Sequence, residues 1–407
     1  MRSIVDPDLF IADVPHDLFD EARAVAPVQW IEVPTELARS GLEAGSGFWS
    51  VTGHAAAREA LGDQKRFSSA KASIFLEDQS DGALAAQRLM MLVMDPPEHT
   101  DHRLTVNRRF VPRAVERLRA DIGAIVDGAI DRIAPLGEAD FVSTIAAEVP
   151  LLVIADLLGV ERDDREAFHR WSDTIINAQD PEFAIGPADV ALAIKELMAY
   201  GAERLAARRA EPRDDLLTAL AHAEIDGVPL DLERQAAFWY LFLLAGNETT
   251  RQALSGAMIA FHRFPDQRRL LVERPELLDS AVEEIVRWWT PVHHFRRTAT
   301  EDTTLGGEPV AAGDKVILWF SAANRDPAVF ADPHRVDITR SPNEHLAFGQ
   351  GAHFCLGAHL ARLELRLTIE ALLRRLPDIA LAGEPERARG NFVNAVKRLP
   401  VAFTPAA

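Results

Sequence analysis

The stretch HLAFGQGAHFCLGAHLAR, residues 345–362, holds Cys355, the only cysteine in a chain of 407 residues. Cys355 stands just before a strongly helical run, LGAHLARLELRLTIEALLRRL. A thiol at a helix N-terminus meets unpaired backbone N–H groups and the positive end of the helix dipole, and both favour thiolate. Gly349, Gly351 and Gly357 clear side chains from around the sulfur. The backbone can then bend tightly, and a flat, bulky partner can approach.

Three readings of this loop compete. A lone cysteine can be a small buried hydrophobe. It can be a nucleophile, with His353 two residues away as its base. It can be a ligand, because access, an anionic sulfur and N–H donors are what a thiolate needs to hold an iron porphyrin. The glycine spacing is not a dinucleotide fingerprint, since no glycine fills the last position and no βαβ unit surrounds it.

Composition narrows the setting. The chain carries 44 basic and 62 acidic residues, a net charge of -18. That argues against a nucleic-acid partner, which calls for a basic surface. One cysteine rules out an internal disulfide. The N-terminus lacks an apolar run of signal-peptide length, and the longest apolar stretch, AAFWYLFLLAG, is too short to span a bilayer. The expectation is a cytoplasmic chain that does not engage a membrane.

Most of the sequence reads helical. DREAFHRWSDTIINA, PADVALAIKELMAYGAERLAARRA and PELLDSAVEEIVRWW carry apolar residues at helical spacing. Asp231 caps a long helix predicted from Leu232 to about His262, on the order of 45 Å, crossing the core. Strand signals lie in GFWSVTG, in two extended runs of RRTATEDTTLGGEPVAAGDKVILWF, and in FVNAVKRLPVAF. The fold class is mainly α: a large helical body with a small β-rich region. No linker or repeat divides it, so residues 1–407 read as one domain, with β-rich parts near 25–55, 295–320 and 378–407.

Three further motifs carry chemistry. In EEIVR, Glu284 and Arg287 share a helix face and can pair. In AGNETT, residues 245–250, a glycine and two threonines lower helix propensity, and Glu248 sits in an apolar run. Local rules broken together mark a candidate site; the plain alternative is a threonine bonded back to a carbonyl and a glutamate facing solvent. In DPPEHTDHR, His99 and His102 invite a metal reading, but no carboxylate–histidine constellation accompanies them.

FGQGAHFCLG resembles the haem-binding loop of the cytochrome P450 family, Phe-Gly-x-Gly-x-His-x-Cys-x-Gly, and matches it at Phe348, Gly349, Gly351, His353, Cys355 and Gly357. The resemblance runs from about Gly47 to the C-terminus and implies the cytochrome P450 fold, with Cys355 as the iron ligand of haem b. It implies that Glu284 and Arg287 join an arginine from a later loop, Arg335 in DPHRVD or else Arg340, in a structural lock. The family's oxygen-activation motif maps onto Ala245–Thr250, giving Glu248 and Thr249 proton delivery to the reacting oxygen, in a helix that opens slightly there. His99, Arg103, Arg296 and His353 fall where the family binds haem propionates.

The reaction so implied is monooxygenation: one atom of O2 enters a C–H bond, with electrons from NAD(P)H through a ferredoxin reductase and a ferredoxin. Arg103, Arg108, Arg109, Arg113, Arg117 and Arg119 form a basic cluster on an acidic chain. It is either a solvated face or a docking patch for an acidic ferredoxin, centred on Arg108, Arg109, Arg113 and Arg362 and extended by Arg366. Position against the family proposes Phe75, Leu76, Leu244, Ala245, Val292, His293, His294, Phe295 and Phe392 as substrate contacts. Their apolar character predicts a hydrophobic substrate. The wording AGNETTR and HHFRRTA is similar to bacterial members acting on steroids, branched lipids or terpenoids. The rival readings are tailoring of a polyketide, peptide or aromatic natural product, and a non-catalytic haem-binding or sensor protein.

Overall fold

A computed structural model describes residues 4–33, 45, 47–176, 178, 180–183 and 186–406. Six helices frame the centre of the molecule: α1 (Glu98–Val106), α2 (Arg165–Ile176), α3 (Pro187–Ala210), α4 (Leu232–Arg263), α5 (Leu278–Trp289) and α6 (Ala358–Arg375). Helix α4 has 32 residues and is therefore about 48 Å long. Asp231 caps it, its carboxylate accepting from Arg234 N at 2.7 Å. Helices α3, α5, α6 and the Glu148–Leu157 helix all pack on α4, so the axis predicted from sequence is the axis of the core. It is α-helical throughout, with no break at Ala245–Thr250. Among the described residues no helix is long and apolar enough to cross a membrane.

Beside this body lies a five-stranded sheet of β1 (Val28–Glu32), β2 (Gly47–Val51), β3 (Phe67–Ser68), β4 (His294–Ala299) and β5 (Lys315–Trp319), in the order β1-β2-β5-β4-β3. Only the β2–β5 pair is parallel. Small antiparallel pairs complete the β structure, including Thr303–Leu305 with Glu308–Val310, and Pro400–Ala402 with Glu138–Asp140. The stretch read as two extended runs over 296–320 thus holds four strands, because the Gly306-Gly307 turn makes a hairpin of its own. Strand β1 falls inside the first predicted β-rich part, whereas the pair Glu224–Ile225 and Val228–Pro229 lies outside all three. Residues 34–44 and 46, inside the first predicted β-rich part, lie outside the described residues.

One buried ionic knot ties helix to loop. Glu284 and Arg287 are both fully buried and form a double bond pair, Nε–Oε2 and Nη2–Oε1, each 2.7 Å. The sequence places Arg335 as the third member, and the structure corrects this to Arg340. The Arg340 Nε donates to both Glu284 oxygens, at 3.2 and 3.1 Å. Arg335 contributes only its carbonyl, which accepts from Arg287 at 3.0 Å, while its guanidinium turns outward to Asp266. A half-exposed arginine with a surface aspartate has no reason to enter the core. Asn343 Nδ2 and Asp337 N complete the Glu284 shell at 3.1 and 2.9 Å.

Removing one partner of a buried pair leaves its mate uncompensated, at about 3–5 kcal/mol. Arg340→Ala is expected to lower unfolding stability on that scale, and Arg335→Ala by less than about 1 kcal/mol. Paired urea melts check the difference; equal losses would place the third arginine back at 335.

Candidate active site

The Cys355 loop is shaped by its glycines. Cys355 N donates to Phe348 O at 2.8 Å, closing the loop on itself. Gly351 has φ +72, and a Cβ there would lie 2.6 Å from Leu61 O, so no larger residue fits. A short 3₁₀ turn, Gly351–His353, follows, and Arg362 of α6 covers the Phe348 ring at 4.5 Å.

The sulfur opens onto a cavity beneath the middle of α4. Cys355 shares its walls with Phe348, Gly349, His353 and Gly357, with His99 and Arg103 of α1, and with Ala245, Gly246, Thr249 and Thr250 of α4. Gly246 gives room on that turn, because a Cβ would come within 2.9 Å of Ile154 Cδ1 and push that side chain aside. The remaining wall is mostly apolar, with Met91, Leu92, Leu241, Phe242, Val292 and Phe295 among it.

Strand alternation decides which arginine of β4 belongs here. Successive residues of a strand face opposite ways. Phe295 and Arg297 line the cavity; His294 and Arg296 do not. Arg296, expected from sequence at the propionates, instead pairs with Asp78 at 2.7 Å. The correction is a shift of one residue, to Arg297.

The charges round the cavity are unbalanced. Arg297 is 2% exposed, and its Nη1 donates to Arg296 O at 2.8 Å; among the described residues its Nε has no partner. Burial holds it down at about 10. Arg103 donates to Ala352 O at 3.2 Å, and burial lowers it too. His99 and His353 stack with ring centres 4.1 Å apart. Burial holds them neutral, at about 4 and about 2, and among the described residues His99 Nδ1 has no partner. The nearest carboxylate acting on them, Asp95, is engaged by Ser68 and Ser69. A buried guanidinium, a half-buried one and an unpartnered ring nitrogen, with only carbonyls as acceptors, suit a ligand that brings carboxylates.

The thiol itself departs from expectation. The Gly357 N–H, Arg103 and Arg362 do favour thiolate, but burial outweighs them and pushes the Cys355 thiol up. The sequence reading counted the donors and not the desolvation. A cationic partner at the sulfur would reverse that balance. An apolar slot with a sulfur on its wall and acceptor-poor cations beside it fits an iron porphyrin carrying two carboxylates.

Elsewhere the expected residues divide. Of the expected substrate contacts, Ala245, Val292 and Phe295 line the cavity. Leu76 is buried in a separate cluster with Phe10, Phe19 and Trp319. His293 bonds Ser321 at 2.7 Å, and His294 packs on Trp319. Phe75 meets Phe392 edge-on at 4.9 Å, and Phe392 also packs against His294 and Phe295. Leu244 packs into the helical core. These six are therefore outside the cavity wall, because proximity in sequence does not fix which way a side chain turns.

On α4, Thr249 Oγ1 donates to Ala245 O at 2.8 Å, the back-bonded arrangement, yet it lines the cavity. Glu248 is buried rather than solvent-facing. The sequence reading missed Met91, Leu92, Ile154, Leu241, Phe242 and Glu364. Glu364 was findable: with Leu360 and Thr368 it sits at a spacing of four on the buried face of α6. It is 2% exposed, its Oε2 has no partner among the described residues, and burial pushes it well above the usual carboxylate range.

The fold and this site define a haem-thiolate oxygenase, and similarity to known proteins agrees. The family model for Cytochrome P450 matches residues 191–377. Linalool 8-monooxygenase of Pseudomonas putida is 38% identical, over 98% of this chain and 98% of its own length. Steroid C26-monooxygenase of Mycolicibacterium smegmatis is 38% identical, over 98% and 93%. The structure of Mycobacterium marinum cytochrome P450 CYP268A2 in complex with pseudoionone superposes with a TM-score of 0.88 at 37% identity, covering 95% of this chain and 94% of that one. The chain belongs to the cytochrome P450 family and is a monooxygenase, using haem, O2 and reducing electrons.

Arg297→Ala should lower the haem retained per chain through purification several-fold, as one charge-assisted partner is lost. Arg296→Ala should leave haem content unchanged. Absorbance per polypeptide reads both; the opposite ranking would return the anion-binding role to Arg296.

Proposed function

We propose that this monooxygenase acts on a hydrophobic small molecule of steroid, terpenoid or branched-lipid type, with electrons delivered by a ferredoxin. The observation that carries this reading is the cavity wall. Apart from the groups round Cys355, Glu364 and the Thr249 and Thr250 hydroxyls of α4, it is aliphatic and aromatic. A wall so poor in polar groups selects mainly by shape and apolar contact. The named activities of the relatives, on linalool and on steroids, point the same way.

In this reading Cys355 is the iron ligand, and Phe348, Gly349 and Gly357 shape its loop. Arg103, Arg297, His99 and His353 hold the propionates. Haem, when bound, supplies oxygen activation and C–H insertion. Ala245, Val292 and Phe295 orient the substrate and exclude water. The Thr249 hydroxyl passes protons into the cavity, and Glu248, next in the chain, holds the proton that is passed.

Electrons enter on the Cys355 side. The Pro112–Glu116 helix packs on α6, which brings exposed Arg108, Arg113 and Arg117 to that face, together with exposed Val111 and Phe354. Arg109 is engaged with Asp214, and Arg362 with Glu283. The free charge of the patch therefore rests on Arg108, Arg113 and Arg117, and an acidic ferredoxin is the complementary partner.

Reduced protein under carbon monoxide should show a red-shifted Soret band, and Cys355→Ser should abolish it. Titration with steroids, terpenoids, fatty acids and aromatics should give a high-spin shift with steroids or terpenoids; response to polar peptides alone would overturn the substrate class. A double charge reversal, Arg108→Glu with Arg113→Glu, should raise the KM for ferredoxin on the order of ten-fold, and less at high salt. An unchanged KM would move the docking face elsewhere.

A further inference from the structure

Glu248 does not line the cavity. Its Oε1 accepts from Gln252 Nε2 at 2.6 Å, and its Oε2 lies 3.5 Å from Arg251 Nη1. That same nitrogen reaches Asp173 Oδ1 on α2, at 2.5 Å. The other Asp173 oxygen meets His169 Nδ1, one turn earlier on α2, at 3.0 Å. Side-chain exposure rises outward along this chain: 2% for Glu248, 5% for Arg251, 17% for Asp173 and 36% for His169. One guanidinium thus serves two carboxylates, and an imidazole at the surface serves the outer one.

Counting charge gives the cluster two states. With His169 neutral, two buried carboxylates share a single cation. A low-dielectric interior opposes that, and the relief is a proton on the deeper acid. With His169 protonated, Asp173 has a cation of its own. Arg251 is then left to Glu248, which can ionise. Arginine does not give up its proton, so it organises the pair without passing protons itself.

We propose that His169 and Asp173 are positioning residues for proton delivery: by dividing Arg251 between two carboxylates they set whether Glu248 holds a proton, and so couple the acid on α4 to the pH outside. This rests on the reading of Glu248 as the proton-holding group. The charged neighbours are few. Asp173 faces His169 from its own helix, Arg251 and Glu248 face both from α4, and Asp140 of the Glu138–Asp140 strand acts on Arg251. The directions agree with the geometry: burial raises Glu248, and the Asp173 hydrogen bond raises His169.

Infrared spectroscopy of the resting haem-loaded protein across pH tests this without turnover. The C=O stretch of a protonated buried carboxylic acid is the signal. Glu248→Gln identifies the Glu248 band, and Glu364→Gln removes the separate Glu364 contribution. His169→Gln should move the midpoint of the Glu248 band up by about one pH unit, and His169→Lys, a lasting cation, should move it down by about as much. Asp173→Asn should also move it down, since Arg251 then serves Glu248 alone. Loosened packing would not produce opposite signs at one position. A midpoint that stays fixed in both His169 variants, or moves the same way in both, overturns the inference. If instead Glu248→Gln leaves product formed per electron pair unchanged, it is the reading of Glu248 that fails, and the two failures are read separately.

Discussion

The structure depends on one carboxylate. Glu284 accepts from Arg287, Arg340, Asn343 and the Asp337 N–H, with no exposure to water. Arg287 in turn donates to the carbonyls of Asn324, Pro333 and Arg335. Together these bonds fasten α5 to the loop segment that leads into the Cys355 loop. Ionic groups so deeply buried add little net stability, because desolvation offsets their attraction. What they supply is geometry. Each donor has one place to go, so the loop has one path, and the sulfur arrives at a fixed point below α4.

The opposite arrangement prevails a few residues away. Arg297 is buried and Arg103 half-buried, with carbonyls for company and, among the described residues, no carboxylate bonded to either. An unpaired buried cation is costly, and the rest of the fold has to carry that cost. The Cys355 thiol is held in the same imbalance, raised by burial despite the cations near it. Cations lacking anions and a sulfur lacking a cation are complementary deficits. A single ligand that brings a metal cation and two carboxylates satisfies both, so cofactor binding and site stability are one energetic problem.

Above this charged end the character changes. Helix α4 separates an apolar cavity wall from the ion cluster of Glu248, Arg251, Asp173 and His169. The cavity side offers a largely apolar substrate surface, and the far side keeps titratable groups close by. Gly246 belongs to the first task, letting Ile154 close against the helix. Arg251 belongs to the second, one of its nitrogens shared between two acids.

The sequence by itself determined a good deal. The Cys355 motif, the cap and length of α4, and the Glu284–Arg287 pair were all legible, because each rests on short-range rules: a helix repeat, a capping aspartate, a spacing of three. The candidate positions His99, Arg103, Thr249, Val292 and Phe295 also fell on the cavity. What only the tertiary structure decided was direction. Arg297 rather than Arg296 faces the site because strand pairing fixes the phase of alternation, and that pairing joins residues far apart in the chain. Arg340 rather than Arg335 completes the ionic lock because one loop residue turns inward and the other outward. Ile154 and the Asp173–His169 pair were unreadable as parts of the site, since each stands on a helix whose relation to α4 is set by packing alone.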